Sequence, residues 1–433
     1  MLRLLHLSDI HFRTSDLESP DIDPNSHIRD LMMRDLKAVC TEHDKAIDAI
    51  MITGDIAYAA HPKEFEEAKM WLKELCDSTG CREERVYVVP GNHDVDRTKA
   101  DNIAVKAFRH IIKNDNNPHA RDSHVREFLS NEISGIPIVA PLKNYIDFSN
   151  SFDCGLTYDK PYWNQTIELS PRVDLYIRGI TTALFSSSED THNSLIVDSR
   201  QFSFPNKPGE LYISLMHHPY DWILDGDAKN DELDNFVQLQ LFGHVHKAKV
   251  TLGENSLKIC SVALHPDKTE SRYEPGYALI DLQEGESDHK HTNVNVEVFM
   301  RLMTTNPPSF HFKGFFNGNS LKKTVQIPVK NISAANIVKS EQAITPNDTL
   351  LISSTSEQPN ASPEVSKSVA FLFQELSGSS QRKILDEIGL LTDEEWKTRS
   401  GVELQVIAFH RASEQNRFDQ LKHMIFAERK LND

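Results

Sequence analysis

The sequence predicts an α/β protein built on a largely parallel sheet covered on both faces, followed by a small all-α unit. Three observations predict it. Short apolar runs alternate with helical stretches over the first hundred or so residues. Each of those runs ends in carboxylate, amide or imidazole side chains, and beyond residue 366 the apolar period is helical to the end.

The elements follow in order. "LRLLHLSD" reads as a buried strand ending at Asp9 and His11. A polar loop leads into "NSHIRDLMMRDLKAVCTEH", where Ile28, Leu31, Met32, Leu36 and Val39 recur at helical spacing. "DAIMITGD" is a second strand, ending at Asp55; "PKEFEEAKMWLKELCDSTG" is a second helix, with Pro62 suited to its first turn and Gly80 to its stop. "RVYVVPGNHD" is a third strand, ending at Asn92 and His93. Strand–helix alternation of this kind gives βαβ units, and such sheets bind ligands at the carboxyl ends of their strands.

From 97 to 165 the pattern turns helical and polar, as an insertion over one end of the sheet; its His110, His119 and His124 read as solvated surface. From 173 strands resume as "VDLYIRGI", "LYISLM", "VQLQLF", "KVTL", "LKICSV" and "YALIDL", in part antiparallel, and the alternation of "NVNVEVFMRL" adds one near a sheet edge. Residues 345–365 are rich in Ser, Thr, Pro and Asn without a sustained period, as a linker is. Residues 366–433 read as a bundle of four or five helices, carrying 10 Lys or Arg against 11 Asp or Glu. The organisation expected is thus 1–344, with the insertion at 97–165, then the linker, then a helical interaction domain at 366–433.

Lys plus Arg 47 against Asp plus Glu 64 gives 47 − 64 = −17, which argues against a chain held on nucleic acid or anionic membrane by its overall field. No stretch reaches the roughly 18 to 20 apolar residues of a membrane helix, and Arg3, His6 and Asp9 break the apolar start. Five cysteines without a CxxC fit a reducing cytoplasm better than a disulfide framework or structural zinc site.

Two more strand ends carry histidines: "SLMHHPYDW" with His217 and His218, and "LFGHVHKA" with His244 and His246. Singly each cluster is weak, because a lone histidine at a strand end is more often a hydrogen-bonded core residue. Five clusters in fixed order are specific. Asp9 and His11, Gly54 and Asp55, "GNHD" at 91–94, His217, and "GHVH" at 243–246 closely resemble the signature of the calcineurin-like metallophosphoesterase superfamily over roughly residues 1–300.

The resemblance implies a four-layer α/β/β/α sandwich holding two divalent ions. Asp9, His11, Asp55 and His246 would hold one; Asp55, Asn92, His217 and His244 the other, with Asp55 as bridge. His93 would stabilise the transition state or protonate the leaving oxygen, and Asp94 would orient His93 or cap the turn, the latter being the plainer role. The adjacent histidines of "MHHP" point to opposite faces if the strand persists, so only one ligates easily; the motif alignment favours His217, with His218 as the alternative. Gly91 and Gly243 would let the backbone turn sharply. Imidazole, carboxylate and amide without thiolate suit manganese first, with iron, zinc or nickel open, better than calcium. Such a pair activates water and neutralises charge on a phosphoryl group.

The stretch "GDIAYAA" lacks the arginine that follows the GD of the protein Ser/Thr phosphatases, and the "GNHD" and "HHP" wording is closer to cyclic-nucleotide phosphodiesterases and DNA-repair nucleases. The expectation is phosphodiester cleavage, by a nuclease or nucleotide phosphodiesterase. The tail resembles the small helical effector-associated domains of bacterial conflict systems, through "LFQELSGSSQRKILDEIGLL" and "ASEQNRFDQLKHMIFAER", which implies recruitment to a protein partner in antiviral defence; self-association stays open. A small-molecule cyclic-nucleotide phosphodiesterase and a non-catalytic scaffold docking through its C-terminal helices are the alternatives.

Overall fold

The computed structural model describes residues 1–17, 25–261, 263–266, 274–315 and 318–330, then 373, 376, 378–392, 395, 396, 404, 407, 408, 411, 412, 415 and 417–432. The linker expected at 345–365 lies outside them. The chain divides into two compact units, Met1–Glu341 and Gln342–Asp433.

In the first unit β1 (Leu2–Leu7), β2 (Ala49–Thr53) and β3 (Val86–Val89) pair in parallel. Nearly every residue of the three is buried, the mark of strands covered on both faces. On the other side of β1 the sheet turns antiparallel through β10 (Gly276–Ser287) and β11 (His291–Thr305), and β11 is flanked in turn by β12 (Pro308–Phe312) and β13 (Leu321–Pro328).

The second sheet runs β4 (Tyr162–Ser170), β5 (Val173–Ile180), β6 (Glu210–Met216), β7 (Leu239–Phe242), β9 (Leu257–Cys260) and β8 (Lys249–Leu252). Its four central strands are parallel and its two edge strands antiparallel. The sheets face one another: β2 and β3 lie against β6, β3 also against β5, and β10 against β4, around one apolar core. A second cluster, including Ile180, Met216, Ile223, Leu233 and Phe242, joins strands of the second sheet to the helix Gly226–Phe236. With the helices Ser26–Glu42 and Pro62–Thr79 contributing to the first core, the architecture is the expected sandwich.

The helix Pro62–Thr79 begins as its sequence predicts, with Pro62 in the first turn, and ends at Gly80 in the left-handed region (φ 74°). The insertion carries the helices Ile103–Asn114, Pro118–Ser130, Glu132–Val139 and Lys143–Ser149. Its expected end at 165 is too late, because β4 begins at Tyr162. That strand was hidden by its polar positions Asn164, Gln165, Thr166 and Glu168; Trp163 anchors it by donating to the Val88 carbonyl at 2.8 Å. His110 and His119 are exposed, and His124 stands 3.4 Å from Asp115.

In the second unit the helices Gly378–Ile388 and Phe418–Asn432 belong with a separate core that includes Phe373, Leu385, Ile388, Leu404, Ala408, Leu421 and Ile425. Thr392 and Glu395 form a capping box: the Glu395 carboxylate accepts the Thr392 N–H at 2.8 Å, and the Glu395 N–H donates to the Thr392 hydroxyl at 3.3 Å. Arg411 grips Glu395 through two bonds of 2.7 and 2.8 Å. No helix among the described residues is long and apolar enough to cross a membrane.

Candidate metal centre

The carboxyl ends of β1 and β2 are zipped together by main-chain bonds, and the loop after β3 joins them through the carboxylates of Asp55 and Asp94. Asp9 N donates to Gly54 O at 3.0 Å, Ile10 N and His11 N both donate to Asp55 O at 2.9 and 3.0 Å, and Phe12 N donates to Ile56 O at 2.9 Å. This network holds Asp9, His11 and Asp55 in the left-handed region, with φ of 53°, 53° and 54°; His244 and His246 on the opposite sheet share it at 66° and 51°. Non-glycine residues pay about 1–3 kcal/mol for such strain, which persists where surrounding bonds over-determine it.

Both carboxylates are almost fully buried, Asp9 at 0% and Asp55 at 2% exposure. Asp55 Oδ1 accepts the His93 N–H at 2.8 Å, while Oδ2 lies 3.3 Å from His11 Nε2 and 3.3 Å from His217 Nε2. Asp9 accepts the Ser8 hydroxyl, stands 3.1 Å from His246 Nε2 and accepts the His244 N–H at 3.2 Å. Burial alone would raise Asp9; the His246 hydrogen bond and the His217 charge override it and hold the carboxyl at about 2. Asp55 is likewise held well below the usual carboxylate range, burial being outweighed by His217 and His11.

The second sheet supplies imidazoles. His217 Nδ1–H donates to the Thr53 carbonyl at 2.7 Å, which fixes the tautomer and leaves Nε2 facing Asp55 and, at 3.2 Å, Asn92 Oδ1. Burial opposes protonation of His217, but Asp55 and then Asp9 raise it to about 9 in the metal-free chain. His244 is pushed down to about 4 by burial and then the His217 charge, so its ring is neutral and able to ligate.

Ligand atoms of His217, His218 and His244, of His11, Asp55 and His93, and of Asp9, Asp55 and His217 lie within 4.8 Å of one another in each set. The sets interlock through Asp55 and His217, His246 joins through Asp9, and Asn92 through His217. All seven expected ligand residues therefore come together. Buried carboxylates, neutral imidazoles and an amide oxygen, with carbonyl partners behind the rings, fit divalent ions.

Three expectations change. The opposite-face argument for His217 over His218 fails because β6 stops at Met216 and both rings aim at Asn92, each Nε2 at 3.2 Å from Oδ1. His218 Nδ1 pairs with Thr182 Oγ1 at 2.8 Å. Asp94 does not orient His93: its carboxylate accepts N–H groups of Gly91, Ala57 and Ile56 at 2.9, 2.8 and 3.3 Å, tying the third loop to the second. Burial and then the Asp55 charge push that carboxyl up to about 7 against those donors. His93 is oriented instead by Tyr58, whose carbonyl accepts from Nδ1 at 2.7 Å. Finally, Gly91 and Gly243 are required for close approach rather than for turning; a Cβ on Gly91 would lie 2.1 Å from Asp55 Oδ1, and the left-handed glycine is Gly54 (φ 86°).

Sequence reading missed the supports. Glu64, 1% exposed, accepts the Thr14 N–H at 2.9 Å through one oxygen and those of Tyr58, Ala59 and His61 at 3.3, 3.0 and 3.1 Å through the other. The capping-box spacing from His61 to Glu64 signalled the helix start but not this second use. Trp222 packs edge-on against the His244 ring, centroids 4.3 Å apart.

The family model of the calcineurin-like phosphoesterases matches residues 2–248, and that of the GTPase-associated adaptor domain matches residues 367–427. The uncharacterized metallophosphoesterase-like protein YydB of Bacillus subtilis (strain 168) is 24% identical over 306 residues, covering 66% of this chain and 58% of its own. The chain therefore spans less than two thirds of that relative. Among solved structures, wild-type Vps29 complexed with zinc from Entamoeba histolytica is similar at 8% identity and a TM-score of 0.28, over 75% of this chain and 99% of that one. GAP50, the anchor in the inner membrane complex of Plasmodium, is similar at 11% identity and a TM-score of 0.35, over 83% and 99%.

Proposed function

The chain belongs to the calcineurin-like phosphoesterase family, and from that premise we propose that it hydrolyses phosphodiester bonds of nucleic acid or nucleotides with two divalent cations, manganese foremost. Asp9, His11, Asp55 and His246 hold one ion in this reading, and Asp55, Asn92, His217 and His244 the other. The observation that carries it is Asp55 Oδ2, equidistant at 3.3 Å from a ring of each sheet. When bound, the ions supply a hydroxide nucleophile at neutral pH and offset the charge of the phosphoryl group.

The chain's own groups do the rest. With Nδ1–H committed to the Tyr58 carbonyl, His93 presents Nε2 alone to a substrate. Burial holds this ring below the ordinary histidine value, with Asp55 partly opposing. A phosphate anion opposes burial in the same sense, so Nε2 gains its proton as the ester binds and releases it to the leaving oxygen. The second loop, Ile56–Ala57–Tyr58, offers no arginine in the place that grips a phosphomonoester in the protein phosphatases, which supports a diester.

The adaptor-domain match supports the second unit as the part that brings this hydrolase to a protein partner; in this reading the hydrolase is a recruited effector in a bacterial defence system. The test of the chemistry is a panel of manganese, iron, nickel and zinc against bis-p-nitrophenyl phosphate, DNA, RNA and cyclic nucleotides. Metal-dependent cleavage of a diester that vanishes in Asp55→Asn is expected. Turnover of monoesters alone would remove the diester reading, turnover of cyclic nucleotides alone would restrict it to small molecules, and no turnover would favour the scaffold. Recruitment loses its basis if the chain without residues 367–433 keeps the same partners and the same cellular effect.

A further inference from the structure

Arg13 follows the first ligand pair and has no part in the scheme above. Its guanidinium carbon lies 3.9 Å from the centroid of the Tyr58 ring, which stacks on His93 at 5.0 Å and meets His11 edge-on at 5.9 Å. Arg13 Nε is buried with no hydrogen-bond partner, and among the described residues no carboxylate or carbonyl meets any nitrogen of this guanidinium. The buried arginine of β1 behaves differently: Arg3 is paired through two bonds of 2.7 Å with Asp281. A half-buried cation that meets no counter-charge among the described residues is costly in a resting protein unless something anionic completes it.

The placement is built. Phe12 N donates to Ile56 O and Tyr58 N to Phe12 O, 2.9 and 3.0 Å, so the residues before Arg13 and the Tyr58 backbone are locked to one another. On the far side of Arg13, Thr14 donates its N–H and hydroxyl to Glu64 at 2.9 and 3.1 Å, and the same carboxylate accepts the Tyr58 N–H. Arg13 is thus pinned from both neighbours against a ring 39% exposed to solvent and in contact with His93.

We propose that Arg13, held on Tyr58, is a substrate-recognition residue that takes an anionic phosphate oxygen of the ester on the His93 side of the centre. The identity of the ester rests on the hydrolase reading above; the anion contact does not. A planar fork with free N–H groups suits a phosphate oxygen, and each charge-assisted bond is among the stronger ones a site can offer.

The test uses the full-length, manganese-loaded protein. Binding of inorganic phosphate is measured by calorimetry for the wild type, R13Q and R13A; R13Q keeps a planar group over Tyr58 without the charge, so it retains the packing if R13A does not. Phosphate affinity about tenfold weaker in R13Q is expected, the loss of one charge-assisted contact, together with a rise in KM that exceeds any fall in kcat on bis-p-nitrophenyl phosphate. Wild-type-like phosphate affinity in R13Q, or a wild type that binds no phosphate, overturns the inference. A wild type that turns over no ester yet binds phosphate through Arg13 would sink the hydrolase reading and leave this one standing.

Discussion

The two sheets contribute unlike halves to the candidate centre. The first supplies both carboxylates, the amide and two imidazoles from loops locked to one another by main-chain bonds and by the carboxylates of Asp55 and Asp94. The second supplies only imidazoles, and these are oriented largely by the first: His217 by the Thr53 carbonyl, and His244 and His246 by Asp9. The acidic half is rigid by itself; the imidazole half is positioned by docking. The negative charge comes from the first sheet alone, and Asp55 and His217 are where the two halves meet.

Breaking the acidic half is expected to do most. Asp55→Asn removes the charge shared by both rings, and turnover should fall about 10³-fold or more, with metal analysis showing fewer than two ions bound. Full activity with two ions retained would refute the bridge. Gly91→Ala drives a Cβ to 2.1 Å from Asp55 Oδ1 and is expected to cost metal binding even where circular dichroism shows a folded chain.

His93→Ala is expected to leave both halves assembled and to remove the proposed proton donor. A loss of about 10²–10⁴-fold is expected on a nucleic acid substrate. The loss should be much smaller on bis-p-nitrophenyl phosphate, whose leaving group needs no proton; equal losses on both would give His93 an electrostatic role instead.

In the imidazole half, Thr182→Val frees the His218 ring and should weaken metal affinity about 10- to 100-fold if that ring helps to hold an ion. Unchanged affinity by competitive chelation would leave His217 as the sole ligand of the pair.

The smallest effect is on the scaffold beneath the acidic half. His6 is fully buried, with Nδ1 unpartnered, and burial lowers its pKa to about 3. The unfolded state takes up a proton near 6.5 and the folded state does not, so stability present above that value is lost as pH falls from about 6.5 toward 3. The slope is at most about 1.4 kcal/mol per pH unit for this one ring. Urea melts of wild type and His6→Gln at several pH values would show the slope flattening in the variant.

Much of this was legible before folding. Asp9, His11, Asp55, Asn92, His217, His244 and His246 are chemically distinctive residues at the ends of apolar runs, and an apolar run of that length announces a buried strand. The strands β4, β12 and β13 were not legible. β4 carries polar side chains on its open face, and β12 and β13 are short or polar strands that pair only with β11. The supports were partly hidden: the turn cap, the plainer role expected of Asp94, is the one found, but Glu64 went unmarked, because sequence proximity cannot say which backbone amides converge on a buried oxygen.

Residue chemistry and its order along the chain determined by themselves that this is an α/β member of the calcineurin-like phosphoesterase family with carboxylates, an amide and imidazoles at its strand ends. Tertiary structure alone decided which ring faces which carboxylate, that His217 and His218 both face Asn92, and that Arg13 meets no counter-charge among the described residues. The reason is range: apolar periodicity and side-chain type act over a few residues, whereas orientation, burial and the charge felt by each group come from atoms tens to hundreds of positions away.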